Sequence, residues 1–170
     1  MKRAAAVFGA LAAAVGVFVW YLGGFAAIHV EESRMGPFTF VYRDSHGSDM
    51  RDVGAITTSL SDLLASRGML FRQPLDAFFP DGRSEIGFVV SSTARDAAAQ
   101  VADGARVREI PMTNVITVRF PMVNRLSYLI GALKVDSAFA RYRAAHGYAK
   151  TEAYALSVGE EIIYFQPIAR

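Results

Sequence analysis

The chain has 170 residues, 52% of them hydrophobic, and its 18 Lys and Arg residues against 16 Asp and Glu residues give a formal net charge of +2. This length fits one domain, and so small a net charge provides no basic surface of the kind that nucleic-acid binding requires. The sequence contains no cysteine. That absence excludes a disulfide framework, a thiolate nucleophile and a zinc–cysteine site.

The hydrophobic excess lies in one segment near the N-terminus. Residues 4–28 carry no charge, and all of them except four glycines are hydrophobic. In residues 29–170 the composition is that of an ordinary soluble domain and the charges balance, with 16 bases and 16 acids. A helix of 25 residues is roughly 37 Å long, enough to cross a hydrocarbon core of about 30 Å. The sequence therefore predicts a transmembrane anchor in residues 1–28 and a domain in residues 29–170.

The residues that flank the apolar run predict its orientation. Lys2 and Arg3 precede it, acidic residues follow it, and Trp20 lies near its far end, where an aromatic side chain suits the membrane interface. We therefore expect a single-pass protein with a cytoplasmic N-terminus and a periplasmic or otherwise extracytoplasmic domain. A cleaved signal peptide is the alternative, although its apolar region usually has only about 7–15 residues.

The first half of the domain contains five predicted elements. A short strand over residues 28–34 precedes a strand over residues 38–43, where apolar and polar side chains alternate. A helix follows that begins at Ser48 or Asp49 and ends before Gly68. Residues 76–79 and 85–90 then form a hairpin, and residues 93–102 form a short helix.

The second half repeats this order. Strands are predicted over residues 106–110 and 115–120, then a helix bearing Leu126, Leu129, Ile130 and Leu133 on one face, a separate helical piece over residues 137–145, and a hairpin of residues 151–157 and 162–167.

An offset of 77 residues relates identical residues in the two halves. The matches near the start pair Val30, Glu32, Met35 and Val41 with Val107, Glu109, Met112 and Val118, and those near the end pair Gly82, Ile86 and Phe88 with Gly159, Ile163 and Phe165. The repeat predicts an α+β fold, duplicated over about 30–92 and 105–170, with both helices on one antiparallel sheet or with a cleft at a pseudo-twofold axis. We expect a ligand in such a cleft.

Several stretches in this order match one family of domains. They include residues 107–111 (Val-Arg-Glu-Ile-Pro), the helix that leads to His146, the segment Glu152-Ala153-Tyr154 and the closing residues 163–168. With residues 38–47 in the first half, they give residues 30–170 a resemblance to the gyrase-inhibitor-like small-molecule-binding domain. The sequence is most similar to the membrane-anchored branch that includes an endoplasmic-reticulum autophagy receptor. The autophagy role is not carried over, because the predicted orientation is reversed.

The resemblance implies that a small cationic or apolar molecule is held between the halves, and that some members hydrolyse reactive electrophiles. The family's acid lies in a Glu-x-Tyr strand pattern, which here is Glu152 and Tyr154. Side chains two apart on a strand project from one face, so both can meet one ligand. The carboxylate would attract a cation or act as a general base on water. Alternatively, Glu152 is a solvated residue paired with Lys150 or an arginine.

Four further aromatic residues are expected to line the core or the cleft, and only the resemblance makes them ligand contacts: Tyr42, Tyr128, Phe139 and Tyr142. No cofactor and no metal is expected. Asp44, His46 and Asp49 are close in sequence, but they are more typical of a turn and a helix cap than of a metal site.

Three functions remain open at this stage. The leading hypothesis is a membrane-tethered module that binds a small molecule between its repeats. The second is a hydrolase of small electrophiles, with Glu152 as base and Tyr154 orienting the substrate. The third is a structural or interaction domain that docks onto another envelope protein.

Overall fold

The computed structural model describes residues 8–9, 13–17, 20, 27–45, 50–69, 72–91, 104–122 and 125–169. The domain elements are β1 (Glu31–Met35), β2 (Phe38–Ser45), α1 (Met50–Ser66), β3 (Arg72–Phe78), β4 (Ser84–Val90), β5 (Arg106–Ile110), β6 (Thr113–Pro121), α2 (Arg125–His146), β7 (Ala153–Val158) and β8 (Glu161–Pro167). The predicted α+β class is confirmed.

Two element boundaries differ from the prediction. β3 begins at Arg72 rather than at residue 76, so that Pro74 lies inside the strand. The second half has one continuous helix of 22 residues where two pieces were predicted. Residues 132–138 contain no glycine or proline that would interrupt it, and Ser137 donates a hydrogen bond to the carbonyl oxygen of Leu133 within the same helix. The predicted helix over residues 93–102 lies outside the described residues.

The predicted transmembrane helix, residues 4–28, lies largely outside the described residues. Residues 8–9, 13–17 and 20 are helical, and residues 27–28 are not. In the described parts of the chain, no helix is both long enough and apolar enough to span a membrane.

The eight strands form one antiparallel sheet in the order β1-β6-β8-β7-β3-β4-β2-β5. Taken inward from the two edges, the strands are β1, β6, β8, β7 on one side and β5, β2, β4, β3 on the other. Each strand therefore occupies the place of its counterpart in the other half, and the first strand of each half pairs with the opposite half. At the centre, Leu75 of β3 lies opposite Leu156 of β7.

The pairing register limits the offset of 77. It holds for β2 and β6, where Val41 corresponds to Val118. Val41 pairs with Phe88, however, whereas Val118 pairs with Tyr164, which follows Phe88 by 76 residues. Successive side chains of a strand point to opposite faces, so the sequence match of Phe88 with Phe165 joins residues on opposite faces of the sheet. The constant offset therefore breaks at the last strand.

The sheet curls until its two edges approach each other. β1 and β2 are six positions apart in the strand order, yet only Gly36 and Pro37 separate them. Strands about 4.8 Å apart would put them roughly 29 Å apart in a flat sheet, whereas three residue steps span only about 10 Å. The same argument applies to β5 and β6. The two connections touch, because a Cβ on Gly36 would lie 2.8 Å from the carbonyl oxygen of Pro111.

The curl gives the sheet a helix face and an inner face. On the helix face, α1 packs Leu60 and Leu64 against β2 and β4, while α2 packs Val135 and Phe139 against β6 and β8. The inner face carries a third buried cluster, formed by Phe40, Tyr42, Leu75, Ala77, Ile110, Val115, Tyr154, Leu156, Ile163 and Phe165. This cluster is the core between the two halves.

Candidate functional site

The structure divides the six predicted ligand contacts between the two faces of the sheet. Tyr42 and Tyr154 belong to the inner-face cluster, and Glu152 precedes Tyr154 by two residues on the same side. The other three, Tyr128, Phe139 and Tyr142, are carried by α2 on the helix face. One molecule on the inner face could contact the first group but not the second. The role of all six as ligand contacts stays a prediction.

The centre of the sheet is not an open cleft. Leu75 and Leu156, which face each other there, are 0% and 3% exposed and belong to the inner-face cluster. Apolar packing therefore fills the position of the pseudo-twofold axis where a ligand was expected. The polar groups of the inner face lie to one side of it, in the first half.

Four aromatic rings on the inner face surround one guanidinium group. The Cζ atom of Arg108 lies 5.4 Å from the ring centroid of Phe40, 5.8 Å from Tyr42, 5.8 Å from Phe79 and 5.7 Å from Tyr154. These distances lie within the range of about 6 Å over which a cation is attracted to a ring face. We call these four rings the aromatic cage.

The strand register explains how the cage forms. Alternation along β2 puts Phe40 and Tyr42 on one face, and Arg108 of β5 lies directly opposite Phe40. Gly87 lies opposite Tyr42 on the other side of β2. A Cβ at Gly87 would collide with the carbonyl oxygen of Val41 and lie 2.9 Å from the ring of Phe40, so the close approach of the two strands depends on glycine.

A buried carboxylate lies beside the guanidinium. Nη2 and Nε of Arg108 lie 2.8 and 2.9 Å from Oε2 of Glu85. The Glu85 side chain is 6% exposed and that of Arg108 is 28% exposed. Between Glu85 and Tyr154 the register places only the small residue Ala77, which leaves room for the guanidinium. Because an unpaired buried carboxylate costs several kcal/mol, the Arg108 charge is what stabilises Glu85 here.

The hydrogen bonds continue from Arg108 to the predicted Glu-x-Tyr pair. The Tyr154 hydroxyl accepts hydrogen bonds from Nη1 and Nη2 of Arg108, both at 3.4 Å, and donates one to Oε1 of Glu152 at 3.2 Å. Burial raises the pKa of Tyr154 more than Arg108 lowers it, so the phenol keeps its proton. Burial also lowers the pKa of Arg108, but its contacts with Tyr154 and Glu85 outweigh burial and the net shift is upward. Arg108 thus stays charged between two carboxylates.

Tyr128 is bonded to a different acid, on the helix face. Its hydroxyl donates a hydrogen bond of 2.6 Å to Oδ2 of Asp76 on β3. Burial raises the pKa of Asp76 to about 6, and this hydrogen bond opposes the rise. The Tyr164 hydroxyl in turn donates to the backbone oxygen of Tyr128 at 2.9 Å. These contacts join α2 to the sheet, on the side away from the cage.

Two hollows open near the predicted aromatic residues of α2. Tyr142 lines a shallow one of about 410 Å³ with Ile28 and Arg141. Phe139 lines a smaller one of about 110 Å³ that also reaches Phe79 of the cage. The smaller volume is below the roughly 300–1,000 Å³ of typical ligand pockets. Neither hollow contains the buried charge that distinguishes the cage.

Within the described ranges, no group of three or more His, Cys, Asp and Glu side chains could hold a metal ion. Asp44 pairs with Arg106 at 2.9 Å. His46 and Asp49, the other two members of the trio considered from the sequence, lie outside those ranges.

Sequence reasoning missed four members of the site: Phe40, Phe79, Glu85 and Arg108. The available signal was a charged residue within each of two otherwise apolar strands, Glu85 in β4 and Arg108 in β5. That signal is weak, because the two strands become neighbours of β2 only through the exchange of first strands between the halves.

Several solved structures share this fold at low sequence identity. The EcmrR C-terminal domain has a TM-score of 0.63 and 6% identity over 84% of this chain and 98% of its own. SAV2435 bound to tetraphenylphosphonium has a TM-score of 0.60 and 9% identity over 83% and 94%. A hydrolase from Listeria innocua has a TM-score of 0.54 and 14% identity over 89% and 98%. No protein-family model and no curated protein matches the chain. The likeness is consistent with the gyrase-inhibitor-like fold and extends to the fold alone.

Proposed function

We propose that residues 29–170 bind a small organic molecule, cationic or apolar, on the inner face of the sheet between two halves that are repeats of one unit. The observation that carries this proposal is the aromatic cage with the buried Glu85 carboxylate at its side. Ring faces attract a cation, and a buried carboxylate selects one by charge. The fold likeness to SAV2435, which is bound to a lipophilic cation, supports the same chemistry.

Tyr154 and Glu152 extend this site toward solvent. Tyr154 offers a ring face to the cage, and its hydroxyl bonds to Glu152, which is partly exposed. A ligand in the cage could therefore exchange one of these hydrogen bonds for its own. Tyr42 contributes a second ring, stacked on Phe40 at a centroid distance of 5.1 Å.

The proposal is tested by titrating the full chain, in detergent, with tetraphenylphosphonium and a panel of organic cations and neutral aromatics. We expect thermal stabilisation by tetraphenylphosphonium. Phe79→Ala removes one ring of the cage and should weaken binding about 2- to 30-fold, the range of a single cation–π contact. Phe78→Ala is the matched control, because Phe78 is the neighbouring residue on the helix face. Stabilisation by none of the compounds would refute the proposal and favour a structural or interaction role.

A second candidate function is the hydrolysis of a small electrophile. The Glu152–Tyr154 hydrogen bond favours it, as does the fold likeness to a Listeria innocua hydrolase. Glu152 would take a proton from water as the water attacks, and Tyr154 would orient the substrate. Mass spectrometry of incubated electrophiles would reveal consumed substrate. Glu152→Gln should then abolish turnover and leave tetraphenylphosphonium binding in place, whereas unchanged substrate with the wild-type chain would exclude this function.

We further propose that residues 4–28 anchor the domain in a membrane, with the N-terminus cytoplasmic and the domain outside. The uncharged apolar run supports the anchor, and Phe8, Val15, Val17 and Trp20 are all more than half exposed, as lipid-facing side chains would be. A reporter that is active only outside the cytoplasm, fused after Arg170, should be active in the membrane fraction. An inactive reporter would overturn the orientation, and a processed N-terminus would identify a cleaved signal peptide.

A further inference from the structure

The cation in the aromatic cage belongs to the protein itself. We propose that Arg108 is a tethered occupant of the cage and that a ligand binds by displacing its guanidinium group. This inference rests on the proposed function, because it concerns the same site. It adds that the site of the free protein is already filled and that ligand and Arg108 compete for one carboxylate.

Arg108 is the member of the site that can leave. It is carried by β5, which is an edge strand of the sheet, and its side chain is 28% exposed. Its two contacts with the Tyr154 hydroxyl are long, at 3.4 Å, so the bonds to Glu85 hold it most strongly. The guanidinium can swing into water on its flexible stem while the backbone of β5 stays paired with β2. Glu85 is 6% exposed on an inner strand and must stay.

Displacement of Arg108 leaves Glu85 buried without its counter-charge. A cationic ligand replaces that charge, whereas a neutral ligand of the same shape does not. The neutral ligand therefore has to overcome the cost of an uncompensated buried carboxylate. Arg108 thus weakens the binding of every ligand and weakens that of neutral ligands most.

The other half of the sheet provides a matched control. The register places Arg119 and Glu161 at the positions that correspond to Tyr42 and Glu85. These two residues form a pair at 3.2 Å, but their side chains are 62% and 50% exposed. Replacing Arg119 removes an arginine paired with a glutamate, as replacing Arg108 does, without opening a cage.

The test compares two probes of similar shape by isothermal titration calorimetry: the cation methyltriphenylphosphonium and the neutral triphenylphosphine oxide. Arg108→Met should bind the cation at least about 10-fold more tightly than wild type, and the neutral probe should gain less. Arg119→Met should bind both probes as wild type does. Adding Glu85→Gln to Arg108→Met should abolish the preference for the cation.

The outcomes separate this inference from the proposed function. Equal affinity of wild type and Arg108→Met for the cation would overturn the displacement of Arg108, while the measured binding would leave the proposed function standing. Binding of no probe to either chain would remove the proposed function itself. If Arg108→Met does not fold, Arg108→Lys replaces it, because lysine keeps the charge but lacks the fork that holds Glu85. A gain of about 2- to 5-fold is expected for lysine, and no gain would overturn the inference.

Discussion

The Glu85–Arg108 pair is expected to be strongly and asymmetrically coupled in the free energy of unfolding. Arg108→Met leaves a carboxylate that is 6% exposed without a counter-charge, which costs about 3–5 kcal/mol. Glu85→Gln leaves a guanidinium that is 28% exposed and still bonded to an amide oxygen, so we expect a loss of only about 1–2 kcal/mol. The double variant holds no buried charge and should be more stable than Arg108→Met by at least about 1 kcal/mol.

Urea unfolding of the full chain in a mild detergent, followed by circular dichroism, measures these differences. The same three substitutions at Arg119 and Glu161 form the control cycle, where exposed side chains predict a coupling of about 0–1 kcal/mol. The decisive feature is that a second substitution restores stability. If the double variant is no more stable than Arg108→Met, or if both cycles give the same coupling, then Arg108 does not compensate a buried charge on Glu85.

Two further sites give predictions about stability. Burial raises the pKa of Asp76 from 3.8 to about 6, so the folded state binds this proton more tightly than the unfolded state does. The resulting stability is complete below about pH 4 and lost above about pH 6, a change of about 3 kcal/mol. Asp76→Asn should remove this slope in urea unfolding, Tyr128→Phe should move it to higher pH, and an unchanged slope in both would contradict the assignment. Gly87→Ala forces a Cβ against the Val41 carbonyl oxygen and the Phe40 ring, so we expect a loss of about 1–3 kcal/mol and weaker tetraphenylphosphonium binding; wild-type thermal unfolding and affinity would contradict this close packing.

The local elements could be predicted because their signals are local. Alternation in residues 38–43 marks β2, and the spacing of Leu60 and Leu64 marks the buried face of α1. Both patterns describe how one segment meets one surface, so they need no knowledge of the neighbouring strands. The α+β class and the antiparallel sheet follow from such segments.

The cage could not be predicted, because it depends on contacts between distant segments. Arg108 meets Glu85 only because β2 lies between β4 and β5, an order that results from the exchange of first strands. The identity of Phe88 with Phe165 pointed to the wrong correspondence, since a shift of one residue reverses the face. The Glu-x-Tyr pattern located one end of the site, while the end with the buried charge carries no comparable pattern.

The two ends together determine which ligand charge the site accommodates. With Arg108 in the cage, one guanidinium and the carboxylates of Glu85 and Glu152 have a formal charge of −1. Displacement of Arg108 changes it to −2, and a ligand with a single positive charge restores −1. A monovalent organic cation therefore reproduces the electrostatics of the free protein, and its rings replace the contacts that the guanidinium made with the cage. On this argument, the affinity depends on how much better the ligand fills the cage than Arg108 does.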